Sequence, residues 1–252
     1  MGINNVTLFD AHFHIIDPRF PLVPNNGYVP EAFTCDNYLK RMKGCHLAGG
    51  AVVSGSFQEF DQSYLLNALA TLGPSFCGVT QIPADTSDEK IMRLNRGGVR
   101  AVRFNLRRGG SEHVQHLDRL ARRVHELAGW HTELYVDSRE LEGLFTILSA
   151  LPAVCIDHLG LSGAGFETLL RLAERGVQIK ATGFGRVDFD VPRALKRIYA
   201  ANPAALMFGT DLPSTRAPRP FLDEDISLVI EALGENAALK VLCENAVNFY
   251  AH

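Results

Sequence analysis

Two imidazoles one residue apart are the first residues in this chain whose types and spacing suggest chemistry. They lie in "LFDAHFHIID", Leu8 to Asp17. A strand sends successive side chains to opposite faces. The spacing therefore predicts Asp10, His12 and His14 on one face and Phe9, Ala11, Phe13 and Ile15 on the other. A lone histidine is most simply a hydrogen-bonded core residue, but two on one face, ending a strand, favour a reaction site. His158 in "IDHLG" and Asp211 in "GTDLP" could join them, although Asp211 before Pro213 would also suit a turn. Imidazoles with one carboxylate can activate water by taking its proton, or can hold a single zinc. Arg103 sits between Val102 and Phe104 and must face an anion, either Glu133 across the molecule or a substrate carboxylate. Arg107 and Arg108 precede a Gly-Gly turn, where exposed positions are common. His46, His113, His116, His125, His131 and His252 read as structural or solvated.

Those residues need a scaffold that brings distant segments together. Candidate strands are Leu8–Ile15, Gly50–Phe57, Cys77–Ile82, Val99–Leu106, Thr132–Asp137, Val154–Leu159, Val177–Thr182 and Leu206–Asp211. Amphipathic stretches such as "HLDRLARRVHELAG" and "VPRALKRIYAAN" separate them, and the segment after Ala84 carries the weakest helical pattern. Alternation groups Arg103 with Asn105, Glu133 with Tyr135 and Asp137, Lys180 with Thr182, and Gly209 with Asp211. It also groups Val52 with Ser54 and Ser56, and Val154 with Ile156 and His158. Eight strand-then-helix units in 252 residues fit an α/β fold, a (β/α)8 TIM barrel forming a single domain over residues 1–252. An open doubly wound sheet is the alternative, but no GxGxxG follows the first strand. The Pro- and Asn-rich stretch "DPRFPLVPNNGYVPEAF" after that strand suits a lid over the site.

Composition narrows the partners. A net charge of −3 argues against a nucleic-acid binder. No apolar run approaches the roughly 20 residues of a membrane span. Five scattered cysteines without a CxxC pair read as free thiols, and no secretory signal precedes Leu8. A cytoplasmic enzyme acting on a small anionic substrate is expected, with room for a homo-oligomer.

The ordered set "DAHFH", "VRFNL", "IDHLG" and "GTDLP" resembles the amidohydrolase superfamily, in particular its amidohydrolase-2 branch of lactonases acting on pyrone dicarboxylates and sugar acids. The closing "ENAVNFY" resembles that branch's terminal helix, with Ala246 where proline is usual. The resemblance implies that His12, His14 and His158 polarise a lactone carbonyl while Asp211 activates water. It implies substrate contacts from Ser56, Arg103, Tyr135, Arg186 and either Arg107 or Arg108. Strand four offers Arg103 and Asn105, and strand five ends in Tyr135, so the extra ligands of a binuclear metal site are missing. That branch is similar in lacking those ligands and works without a metal, so the resemblance implies no cofactor. The alternative is one zinc on His12, His14, His158 and Asp211, serving a hydrolase or decarboxylase. Leu212 and Ser214 replace the family's usual Trp and His, which leaves sugar-acid or sulfonated lactones open as substrates. The predicted activity is hydrolysis of a cyclic carboxylic ester in aromatic-acid or sugar-acid breakdown. A catalytically silent sensor of organic acids is the reading from another class.

Overall fold

In the computed structural model, residues 6–251 are described. Eight parallel strands run in sequence order around a nearly closed barrel. Strands and helices alternate as β1 (Thr7–Phe13), α1 (Cys35–Arg41), β2 (His46–Val53), α2 (Ser63–Leu72), β3 (Phe76–Thr80), α3 (Asp88–Arg96), β4 (Val99–Asn105) and α4 (Leu117–Ala128). They continue as β5 (His131–Tyr135), α5 (Leu141–Ala150), β6 (Val154–Ile156), α6 (Phe166–Glu174), β7 (Gln178–Ala181), α7 (Val191–Ala201), β8 (Leu206–Phe208) and α8 (Glu224–Leu233). Beyond these lie α9 (Glu235–Leu239), a π-helical turn at Lys240–Glu244 and α10 (Asn245–Tyr250).

The helices follow from local signals. In α4, Leu117, Leu120, Ala121 and Val124 recur at helical spacing and are buried, and Gly129 ends it with left-handed backbone. Asp190 caps α7 by accepting from the Arg193 amide, with a proline in the first turn. The segment after Ala84, weakest in the sequence, does form α3, capped by Ser87 and buried through Ile91 and Leu94.

Two apolar layers result. The outer one, between sheet and helices, holds Leu8, Phe13, Val52, Phe104, Ile156, Ile179 and Phe208. The inner one fills the barrel floor with Phe9, Ala11, Ala51, Val53, Val79, Ala101, Cys155 and Met207. Tyr250 of α10 closes that floor, stacked on Phe9 with ring centroids 5.4 Å apart.

Strict alternation fails on β1, and the reason is a bulge. Asp10 pairs with Gly50 and Phe13 with Val52, so three steps on β1 match two on β2. The predicted grouping of Asp10 with the histidines is therefore corrected. Asp10 accepts from the Tyr38 hydroxyl of α1 at 3.1 Å and from the Thr210 amide and hydroxyl at 2.8 and 2.7 Å. It is a buried clasp between the first and last strand segments, and burial raises its carboxyl to about 6 despite those donors. Just beyond β8, the Asp211 amide donates to the His12 carbonyl and the His14 amide to the Leu212 carbonyl, each at 2.7 Å. The catalytic candidates of β1 and β8 thus meet at the barrel's seam.

Candidate active site

The carboxyl ends of the strands bring the predicted residues to one place. His12 and His14 leave β1 toward the barrel mouth. Arg103, Tyr135 and Asp211 follow from β4, β5 and the segment after β8. His158 arrives by a different route from that predicted. Val154 and Ile156 face outward, and Cys155 faces the barrel floor. The chain then leaves β6, and His158 takes a left-handed backbone, φ 51°, which swings its ring to the site. Strain of this kind in a non-glycine residue concentrates at functional sites. Gly183 leaves room for the ring there, because a Cβ at that position would come within 2.6 Å of His158 Nδ1. Ser54, grouped by alternation with Ser56, instead faces α2 and bonds the Tyr64 hydroxyl at 2.7 Å.

One oxygen lies at the centre. Asp211 Oδ1 is 3.9 Å from His12 Nε2, 3.8 Å from His14 Nε2 and 4.0 Å from His158 Nε2. It is buried without a hydrogen-bond partner among the described residues, as is His12 Nε2. The other oxygen, Oδ2, accepts from Arg186 Nε at 2.7 Å. Burial pushes this carboxyl up, but Arg186, and then His158, hold it well below the usual carboxylate range. His12 moves the opposite way, since burial lowers its ring to about 4 against the pull of Asp157.

A second polar layer lies beneath, and most of it escaped the sequence reading. Arg103 finds neither Glu133 nor open solvent. Its Nε and Nη2 donate to Asp157 Oδ2 at 3.1 and 2.7 Å, and Nη1 donates to the Ser54 carbonyl. Asp157 Oδ1 is 3.3 Å from His12 Nδ1. Burial opposes ionisation of Asp157, yet Arg103, His12 and Lys180 hold it well below the carboxylate range. Glu133 pairs with Lys180 at 2.5 Å and accepts from the Tyr250 hydroxyl at 2.6 Å. His131, read as structural, lies 3.1 Å from Glu133 and belongs to this floor network.

The chamber over Asp211 is small, with a volume of about 30 Å³, and its walls include Ser56, Arg103, Arg108, Tyr135, Arg186 and Arg216. Outside it lies a vestibule of about 260 Å³ reached past Arg107, Arg108, Arg139 and Arg216. Of the two uncertain arginines, Arg108 lines both spaces and Arg107 only the outer one. A larger groove of about 900 Å³ lies at the opposite, amino-terminal end of the strands, near Phe76, Gly98 and Tyr250. It gathers none of the catalytic candidates.

The fold and this constellation can now be set beside known proteins. The family model described as "Amidohydrolase" matches residues 9–251. The chain belongs to the amidohydrolase family. A 2-pyrone-4,6-dicarboxylate hydrolase of Comamonas testosteroni is 26% identical over 275 residues, covering 96% of this chain and 89% of that protein. A Pseudomonas putida structure, provisionally described as a 2-pyrone-4,6-dicarboxylic acid hydrolase, is 26% identical with a TM-score of 0.82, covering 98% of each chain. The fold is shared with a probable 2-pyrone-4,6-dicarboxylic acid hydrolase of Acinetobacter baumannii, solved with citric acid bound. That protein has a TM-score of 0.85 at 20% identity, covering 97% of this chain and 99% of that one. Among the described residues, no helix is long and apolar enough to cross a membrane, and all five cysteines are free.

Members of the amidohydrolase family raise the question of a metal, and proton positions help to answer it. The Val53 carbonyl can only accept, so His14 Nδ1, 2.7 Å away, carries a proton and leaves a lone pair on Nε2 in the neutral ring. His12 Nδ1 lies 3.3 Å from Asp157 Oδ1 and 3.4 Å from the Lys180 ammonium, between an acceptor and a donor. Metal-binding histidines are commonly held this way, by a carbonyl or carboxylate behind the ring. Together with the unpartnered Asp211 Oδ1, the set His12, His158 and Asp211 fits one divalent cation. A second cluster, His12, Glu133 and Asp157, has its cation already, because the Lys180 ammonium lies 2.5 to 3.6 Å from all three.

Asp157 and Lys180 were visible but unassigned. Asp157 stands next to His158 in "IDHLG", and Lys180 had been placed on a polar strand face. No sequence signal marked Arg216, whereas Asn25 lies within the stretch read as a lid over the site.

Proposed function

We propose that this protein is a lactone hydrolase acting on a cyclic ester that carries acid groups, with 2-pyrone-4,6-dicarboxylate as the first substrate to test. The observation that carries the reading is Asp211 Oδ1, ionised and unpartnered, facing three imidazoles under a roof of arginines. The names of the two relatives at 26% identity support the same ester class.

In this reading a water occupies the space between Asp211 and the imidazoles. It donates one hydrogen to Asp211 Oδ1 and the other to the Nε2 lone pair of His12 or His14. As the water oxygen attacks the lactone carbonyl, Asp211 takes its proton. Negative charge then grows on the carbonyl oxygen, and a donor aimed there is worth about 3–4 kcal/mol. His158 is free to present Nε2–H, since no described partner dictates its tautomer. Collapse of the tetrahedral intermediate breaks the ring C–O bond, and the proton passes from Asp211 to the departing oxygen. Ser56, Arg103, Arg108, Tyr135 and Arg186 orient the ring, guanidinium forks gripping its carboxylates. When a substrate carboxylate draws Arg186 away, Asp211 loses its nearest counter-charge and becomes the stronger base.

A mononuclear zinc on His12, His14, His158 and Asp211 is the second reading, favoured by the ligand atoms of His12, His158 and Asp211 lying within 4.8 Å of one another. Such an ion would polarise the carbonyl and acidify bound water. The Arg186 guanidinium on the same carboxylate opposes it, since a dication and a guanidinium would compete for Asp211.

The deciding experiment follows loss of pyrone absorbance and proton release by purified protein, beside Asp211→Asn. Turnover by the wild type, with at least a thousandfold loss in the variant and unchanged circular dichroism, supports the reading. No turnover across dicarboxylic, sulfonated and sugar lactones sinks it, as does full activity of the variant.

A further inference from the structure

Arg216, like Arg108, is a guanidinium of the site with no carboxylate partner among the described residues, and of the two it is the one whose fork is held in place. Arg103 is paired with Asp157 and Arg186 with Asp211. Arg216 makes no salt bridge to a carboxylate among the described residues, although it lines both the chamber and the vestibule. Its two terminal nitrogens rest instead on neutral acceptors. Nη1 donates to Asn25 Oδ1 at 2.9 Å and Nη2 to Ser56 Oγ at 2.9 Å. The guanidinium lies over the Tyr28 ring, 4.6 Å from its centroid. Asn25 is itself anchored, its amide donating to the Arg108 carbonyl at 3.0 Å.

Backbone geometry shows that this placement is built. Asp211, Ser214 and Arg216 all have left-handed backbone, φ 61°, 64° and 57°. Three non-glycine residues in that region within six positions require tertiary support. The Asp211 amide is held by the His12 carbonyl and the Thr215 carbonyl by Arg186 Nη2, while the loop after β1 fixes the Arg216 side chain through Asn25 and Tyr28. The guanidinium charge itself meets no carboxylate among the described residues. Partial burial, Arg108 and Arg186 together lower the Arg216 guanidinium from its ordinary value, the signature of a cation short of counter-charge.

We propose that Arg216 is a specificity-determining residue: its fork, held over the chamber by Asn25 and Tyr28, binds an anionic ring substituent remote from the ester under attack. The fork's N–H donors match a carboxylate or sulfonate, and the neutral Ser56 hydroxyl now holding Nη2 is readily exchanged for a charged acceptor. The class selected is a lactone with a second acid group. The inference rests on the lactone reading for its substrate but not for its ligand chemistry, and the test separates the two.

Isophthalate and benzoate, flat ring acids with two and one carboxylates and no lactone, serve as probes in titration calorimetry. The wild type is expected to bind isophthalate at least tenfold more tightly than benzoate. Arg216→Gln should erase that difference while leaving benzoate affinity within twofold, and Arg216→Lys should restore part of it. Thermal melts of each variant establish that it is folded. Equal loss for both probes, no loss for either, or no wild-type preference for isophthalate overturns the assignment. Preserved isophthalate preference in a protein that opens no lactone would reject the hydrolase reading and leave the Arg216 site standing. Where lactones do turn over, Arg216→Gln should raise KM for a pyrone dicarboxylate about tenfold with kcat within threefold. It should leave KM for a pyrone monocarboxylate unchanged.

Discussion

Arg186 Nε donates to Asp211 Oδ2 at 2.7 Å, leaving Oδ1 of the same carboxylate as a bare acceptor inside the barrel mouth. The pairing keeps the carboxylate ionised in acid and weakens it as a base. Replacing Arg186 with Met should therefore raise the Asp211 pKa. A base must be ionised to act, so the acid limb of the kcat/KM profile should move to higher pH by at least one unit. KM should rise as well, because a substrate carboxylate loses its partner. An unmoved acid limb would argue that another group takes the proton.

The His12 ring is lowered to about 4, chiefly by burial. It should stay neutral at pH 5.5, where an exposed imidazole is mostly charged. Nitrogen NMR of labelled histidine checks this directly, and a His12 midpoint near 6.5 would contradict it. A depressed folded value means that this residue's share of stability is complete above about pH 6.5. That share fades as pH falls toward 4.

Lys180 balances Glu133 and Asp157 where no solvent reaches. Lys180→Met should cost about 3–5 kcal/mol in urea unfolding, the usual penalty for orphaning a buried charge. The double variant Lys180→Met with Glu133→Gln should recover part of that loss. Equal instability of the single and double variants would show that the ammonium supports something other than Glu133.

Thr210 is the only described residue that supplies Asp10 with both a backbone and a side-chain donor. Thr210→Val keeps the shape and removes the hydroxyl donor. A loss of about 1–3 kcal/mol is expected, as for a buried acceptor deprived of a partner. Hydrogen exchange should quicken first at the Asp211 and His14 amides, which close the seam. Uniform acceleration across the barrel would refute a local clasp.

Zinc offers a further check. If water activation belongs to Asp211 without a metal, activity survives chelation, and added zinc inhibits by seizing His12, His158 and Asp211. Activity lost on chelation and regained with one zinc per chain would establish the metal reading instead.

The barrel and the identity of the central groups were legible in the sequence. Strand-helix alternation repeats often enough to survive errors at single boundaries, and two histidines on one face of an apolar strand are harder to explain as core residues than one. The parity of β1 was not legible. A bulge costs one residue of register and leaves no mark in composition, so Asp10 went to the outer clasp and Phe9 to the barrel floor. Nor was the approach of His158, which depends on a left-handed backbone and on ring space left by Gly183, just beyond β7. The partner of Arg103 is Asp157 rather than Glu133, which pairs with Lys180. Local pattern determines which side chains enter the barrel in a regular strand. Which charge meets which is decided by distances between strands that only the closed barrel brings together, where every buried charge must find a partner.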